Sequence, residues 1–162
     1  MGTPPSPGGA DTFQILEMIA RQFPHVARQL GLRRAPGMPL AVANEYDVQY
    51  LFQGMLALFF DDIRPEEPGP SIAGASSRVD AFLAPQQTIV EFKMTRKSLS
   101  ETALGKELFI DFAQYAERPG TKNLFVFVYD PSKKIVNPGG FQRQLSIPRP
   151  PIDRVQVFVQ QG

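Results

Sequence analysis

Apolar positions along this chain follow two spacings, and the switches between them divide it into elements. After Asp11, a good helix N-cap, Phe13, Leu16, Ile19 and Phe23 recur on one helical face. Pro24 is expected to kink or restart this helix, which continues with Val26, Ala27 and Leu30 and stops at Gly31. A second helix is predicted over about 44–60, capped by Asn44 and presenting Val48, Leu51, Phe52, Met55, Leu56 and Phe59 to a core. Period-two patterning then takes over. A short strand is predicted at 63–67, a Gly/Pro/Ser loop at 68–76, and two strands at about 77–84 and 88–95. Ser98-Leu99-Ser100-Glu101 reads as a capping box. It opens a helix to about Glu117 whose inner side is Leu104, Leu108, Phe112 and Tyr115. The run Leu124-Phe125-Val126-Phe127-Val128 is continuously apolar, as in a strand buried on both faces, and the preceding helix supplies a parallel crossover. A short helix at 139–146 and an edge strand at 154–160 complete the order α-α-β-β-β-α-β-(α)-β. This is an α/β fold with a mixed central sheet flanked by helices.

Two of these strands carry ionisable groups where apolar residues would pack better. They are Ser77-Arg78-Val79-Asp80-Ala81-Phe82-Leu83 and Thr88-Ile89-Val90-Glu91-Phe92-Lys93. A turn centred on Pro85-Gln86, with Ala84 facing Gln87, sets Asp80 opposite Glu91 and Arg78 opposite Lys93. Opposed Cβ atoms lie about 5 Å apart. Alternation keeps Asp80, Glu91 and Lys93 on one face. Two carboxylates this close repel unless something positive lies between them, and a divalent cation with oxygen ligands suits them. A slip of one residue would turn one acid away.

Composition narrows the chemistry. The 162 residues fit one domain, include no cysteine and hold a single histidine, His25. Disulfides, thiolate sites and multi-histidine zinc sites are thereby excluded, and a reducing, cytoplasmic setting is expected. The start Met1-Gly2-Thr3-Pro4-Pro5-Ser6 formally fits a myristoylation pattern, but its prolines and the lack of a nearby basic cluster argue against it, and no membrane partner is expected. Net charge is +1, yet it is unevenly spread. Residues 45–67 carry six acids against Arg64, whereas residues 92–154 carry eleven bases against six acids. That division suits either an ordinary mixed surface or an acidic cleft with a basic rim facing phosphates.

The ordered set resembles the PD-(D/E)XK nuclease superfamily, with its α-β-β-β-α-β restriction-endonuclease-like core. Asp80 matches the acid of the second core strand, Glu91-Phe92-Lys93 the E-x-K of the third, and Glu45 the extra acid of the first core helix. Val79 stands where the family usually has proline. The wording is most similar to bacterial DpnII/MboI-like restriction domains, through Glu45-Tyr46-Asp47-Val48-Gln49, Arg64-Pro65-Glu66-Glu67, Phe127-Val128-Tyr129-Asp130-Pro131 and Asn137-Pro138. Residues 1–10, rich in Pro, Gly and Ser, are expected to be disordered, residues 11–43 to form an N-terminal helical extension, and the resemblance implies a nuclease domain at 44–162. It implies a Mg²⁺- or Mn²⁺-dependent endonuclease acting on DNA, with RNA as an alternative substrate. Such domains are often effector modules of anti-phage defence proteins, as homodimers or within larger assemblies. Asp80, Glu91 and the Phe92 backbone carbonyl would hold the ion, with Glu45 binding it through water or holding a second one. Lys93 would act on the nucleophilic water or the phosphorane oxygens, and Gln49 would orient the water. Ser77, Arg78, Arg96 and Lys97 would meet the nucleic acid.

Several residues admit a plainer role. Asp80 and Glu91 equally suit a structural ion-pair network with Arg78 and Lys93, or the fold a binding module without turnover. Glu45 suits favourable first-turn charge, and Gln49 a solvated helix face. Glu66 and Glu67 read as surface charges, although alternation lets one of them reach the cleft from the first strand. Arg96, Lys97, Lys133, Lys134 and His25 also suit a solvated surface, and Asp111 reads either as an ion-pair partner or as a residue of the cleft. The phenylalanines at 109, 112, 125 and 127 read as core.

Overall fold

The computed structural model describes residues 11–32, 37–72, 75–97 and 99–162, and for 65–72 and 75–79 the backbone. The segment expected to be disordered, 1–10, lies outside the described residues. Helix α1 (Thr12–Gly31) starts where the cap predicts: Asp11 accepts from the Phe13 and Gln14 amides, and Gln14 Oε1 accepts back from the Asp11 amide. It runs without restarting through Pro24, which is buried. Helix α2 (Glu45–Leu56) is capped by Asn44, whose Oδ1 accepts from the Asp47 amide at 3.0 Å, while Asp47 Oδ2 accepts from the Ala43 amide at 2.9 Å. It ends a turn earlier than the apolar pattern suggests.

Five strands form one sheet in sequence order: β1 (Ile63–Ile72), β2 (Ala75–Leu83), β3 (Thr88–Met94), β4 (Asn123–Tyr129) and β5 (Arg154–Gln160). β1, β2 and β3 are antiparallel, and β3, β4 and β5 are parallel. β1 corrects the sequence reading, because the expected loop at 68–76 is mostly strand. Pro65 and Pro68 sit within β1, which is an edge strand, where a missing N–H costs no ladder bond. The ladder is irregular between Pro68 and Ser71.

Helices α3 (Glu101–Ala116) and α4 (Pro138–Leu145) connect the parallel strands. α3 is capped by Ser100, whose Oγ accepts from the Ala103 amide, so the cap sits two residues beyond the predicted Ser98. Successive crossovers in one direction put their helices on one face. Accordingly Leu104, Leu108, Phe112, Phe141 and Leu145 pack on Ile89, Leu124, Val126, Val128 and Val157. The alternate strand positions, Ala81, Leu83, Val90, Phe92, Phe125 and Phe127, meet Phe13, Leu16, Phe23, Val48, Phe52 and Leu56 of α1 and α2. Phe109 departs from expectation: it is exposed, one position off the core face of α3, with Arg149 over its ring.

At the C-terminal end of the parallel strands, buried Asp130 accepts from Thr95 Oγ1 (2.6 Å), the Lys134 and Ile135 amides (both 2.9 Å) and Gln161 Nε2 (2.8 Å). A carboxylate satisfied on all sides fixes the chain just beyond β3 and β4. Among the described residues no helix is long and apolar enough to cross a membrane.

Candidate active site

The hairpin register follows the turn chemistry. Gln87 donates to the Ala84 carbonyl, and Ala81, Phe82 and Leu83 pair with Val90, Ile89 and Thr88. The described ladder stops there. At the next position Asp80 Oδ2 takes the Phe92 amide at 2.7 Å, so a carboxylate replaces the main-chain partner where the two strands part. The expected Arg78–Lys93 pair does not form in the described ladder; Arg78 pairs with Pro68 of β1 instead.

Parting the strands brings side chains together on the α3 side of the sheet. Glu91 is 2 % exposed, and its Oε1 lies 3.4 Å from Lys93 Nζ. The same ammonium is 3.1 Å from Asp111 Oδ2 and 3.7 Å from Glu107 Oε2, both on α3. Burial raises the Glu91 carboxyl well above its ordinary value, reinforced by the neighbouring Asp111 carboxyl. Burial likewise pushes Asp80 up to about 7, against the pull of the Phe92 amide. For Lys93 burial acts downward, but Glu91, Asp111 and Glu45 outweigh it and keep the amine charged. Tyr115 is buried beside Glu91, Asp111 and Asp80, and burial with those carboxylates holds its phenol protonated. Glu91 Oε2 is buried without a hydrogen-bond partner, and such an acceptor asks for a proton or a cation. Asp111 Oδ2 is as buried but has the Lys93 ammonium beside it.

Glu45, at the first position of α2, reaches the same place. Its carboxyl is raised by burial, offset by Lys93 and by the Met94 amide. A hollow of about 310 Å³ lies here, lined by Glu45, Lys93, Arg96, Glu107, Ile110 and Asp111. Gln49 is neither solvated nor aimed at this hollow. It is 5 % exposed, and its Nε2 lies 3.4 Å from the Asp80 carbonyl oxygen, to which Gln53 Nε2 donates at 2.7 Å. Together they fix the backbone of Asp80 from behind. Arg96 lines the hollow, and Lys97 is exposed beside it. The side chains of Ser77, Arg78, Glu66 and Glu67 lie outside the described residues.

Sequence reasoning passed over Gln53, Glu107 and Tyr115. Gln53 continues the four-residue stripe of Glu45 and Gln49; Glu107 and Tyr115 continue that of Asp111. Asp111 resolves to the cleft and to an ion pair at once. Hard carboxylate oxygens with one buried acceptor lacking a donor suit Mg²⁺ or Mn²⁺. Among the described residues no three Asp, Glu, His or Cys form a ready-made cage. Mg²⁺ keeps several waters and needs few protein ligands, so the donor set still fits.

No curated protein and no solved structure matches the chain. Residues 14–162 match the DpnII-MboI restriction endonuclease family, named for enzymes that cut DNA. With that match spanning the described sheet and, but for the first two residues of α1, the described helices, the chain belongs to the DpnII-MboI restriction endonuclease family.

Proposed function

We propose that this protein is a Mg²⁺- or Mn²⁺-dependent endonuclease that hydrolyses DNA phosphodiesters, working in the cytoplasm as the effector module of an anti-phage defence protein. The observation that carries the reading is the convergence of Glu91 and Lys93 with Asp80 at the point where β2 and β3 part. The Glu91 Oε2 acceptor, buried without a donor, supports a cation at this point. Asp80, Glu91 and the Phe92 carbonyl would hold the ion, and Glu45 would join through water. The chemistry such an ion supplies when bound is polarisation of a phosphoryl oxygen and acidification of water.

The chain's own groups do the rest. Lys93 donates to the attacking water or to the phosphoryl oxygens on which charge builds, and its compact charge suits that task. Gln49 and Gln53 hold the Asp80 backbone still, and with it the carboxylate. Ser77, Arg78, Arg96 and Lys97 contact phosphates, which sets register rather than sequence preference. One site cuts one strand at a time, so a double-strand cut calls for a homodimer or a larger assembly.

The test is supercoiled plasmid incubated with Mg²⁺ or Mn²⁺, beside an RNA of similar length. Conversion to nicked and linear plasmid is expected with either ion, and removal of the ion by a chelator abolishes it. DNA binding without turnover under both ions would favour a silent binding module, and cleavage of RNA alone would reassign the substrate.

A further inference from the structure

Lys93 rises from β3 under α3, and the side chains above it are not arranged at random. Glu107, Asp111 and Tyr115 are spaced by four residues, so one stripe of α3 overlies the E-x-K segment. A lysine head carries three N–H donors on a flexible four-carbon stem, so its position is set by its partners and not by its own geometry. Here the head is nearly buried, its side chain 14 % exposed. Glu91 Oε1 at 3.4 Å holds it from the strand and Asp111 Oδ2 at 3.1 Å from the helix; Glu107, at 3.7 Å and half in solvent, is the looser neighbour.

We propose that Asp111 is a positioning residue for Lys93: anchored on α3, it fixes the ammonium from above so that the head points a remaining donor into the hollow beside Glu91. No sequence motif assigns Asp111 this task; its closeness to Lys93 arises only when α3 packs on β3. The ion pair also accounts for a mid-helix carboxylate whose Oδ2 is shut off from water. With Glu91 drawn toward a cation, Asp111 remains as the partner that keeps Lys93 in place. The consequence for rate rests on the nuclease reading; the consequence for Lys93 itself does not.

The experiment pairs Asp111→Asn, which keeps shape and removes charge, with Asp111→Glu, which restores it. Plasmid cleavage by Asp111→Asn is expected to fall about 100-fold in kcat with KM changed by less than about threefold, the pattern of a misplaced reacting group. Asp111→Glu recovers most of that loss. In metal-free protein, reductive methylation of Lys93, mapped by peptide mass, rises at least about fivefold in Asp111→Asn over wild type, because the head is released from its buried ion pair. Asp111→Ser gives the same readouts should the Asn variant melt at a much lower temperature. Wild-type cleavage with wild-type Lys93 reactivity in Asp111→Asn overturns the assignment. So does a rate loss with unchanged Lys93 reactivity and no recovery in Asp111→Glu. Absence of cleavage in the wild type itself would defeat the nuclease reading alone, since the methylation comparison still decides whether Asp111 holds Lys93.

Discussion

Changing Asp80 or Lys93 to alanine lowers plasmid cleavage by at least about a thousandfold, which is about 4 kcal/mol of transition-state stabilisation. The two losses have different origins. On the proposed mechanism Asp80→Ala removes an oxygen ligand, so it is expected to shift the Mg²⁺ dependence as well as the maximal rate. On the same mechanism Lys93→Ala removes a charge that would meet oxygens becoming more negative during the reaction, so it is expected to cut kcat with metal affinity little changed. Asp80→Ala should not unfold the protein. The Asp80 carboxyl is already raised to about 7 by burial, so removing it relieves a desolvation cost and leaves one amide, that of Phe92, without its acceptor. Such an orphan costs about 1–3 kcal/mol. Circular dichroism on the same samples separates lost chemistry from lost fold. Either variant cleaving within tenfold of wild type would remove its residue from the site.

Phe127→Ala costs about 3–5 kcal/mol of folding stability, a large share of the 5–15 kcal/mol typical of a domain. Phe127 is fully buried, and its ring centroid lies 5.0 Å from those of Phe23 on α1 and Phe52 on α2, and 6.3 Å from that of Tyr129. It is the point at which both helices of that layer meet the sheet. The deleted ring leaves a void that three aromatic neighbours, fixed on three elements, close only in part. Urea denaturation of wild type and variant measures the difference. A loss below 1 kcal/mol would mean that α1 and α2 do not share this core.

The hairpin was readable from sequence because two independent constraints agree there. Pro85-Gln86 sets the turn, and the apolar alternation of Ala81-Phe82-Leu83 against Thr88-Ile89-Val90 admits one register. β4 was readable because only a strand covered on both faces has such an unbroken apolar run. β1 was not, since its prolines mark a loop unless the strand is known to lie at an edge, and edge position is a property of the whole sheet. Gln49 reads as solvent-facing until the carbonyl of Asp80 is seen beneath it. Phe109 reads as core on composition, yet one step of helical rotation beyond Leu108 turns it outward. The acids of the site were legible as a pair on one face; their α3 partners were not, because no local pattern ties residues 107, 111 and 115 to residue 93. The strands' departure from pairing at Asp80 follows from a side chain replacing a main-chain acceptor and has no signature in spacing.

The account turns on a divalent ion seated between Asp80 and Glu91. Crystals soaked in Mn²⁺ and measured at a wavelength where manganese scatters anomalously test this directly. An anomalous peak is expected between the Asp80 and Glu91 carboxylates, at the roughly 2.1–2.3 Å oxygen distances of such ions, with the Phe92 carbonyl oxygen and waters completing its shell. A well-diffracting soak whose Mn²⁺ lies elsewhere, with Lys93 still paired to Glu91 and the two acids unligated, would contradict it.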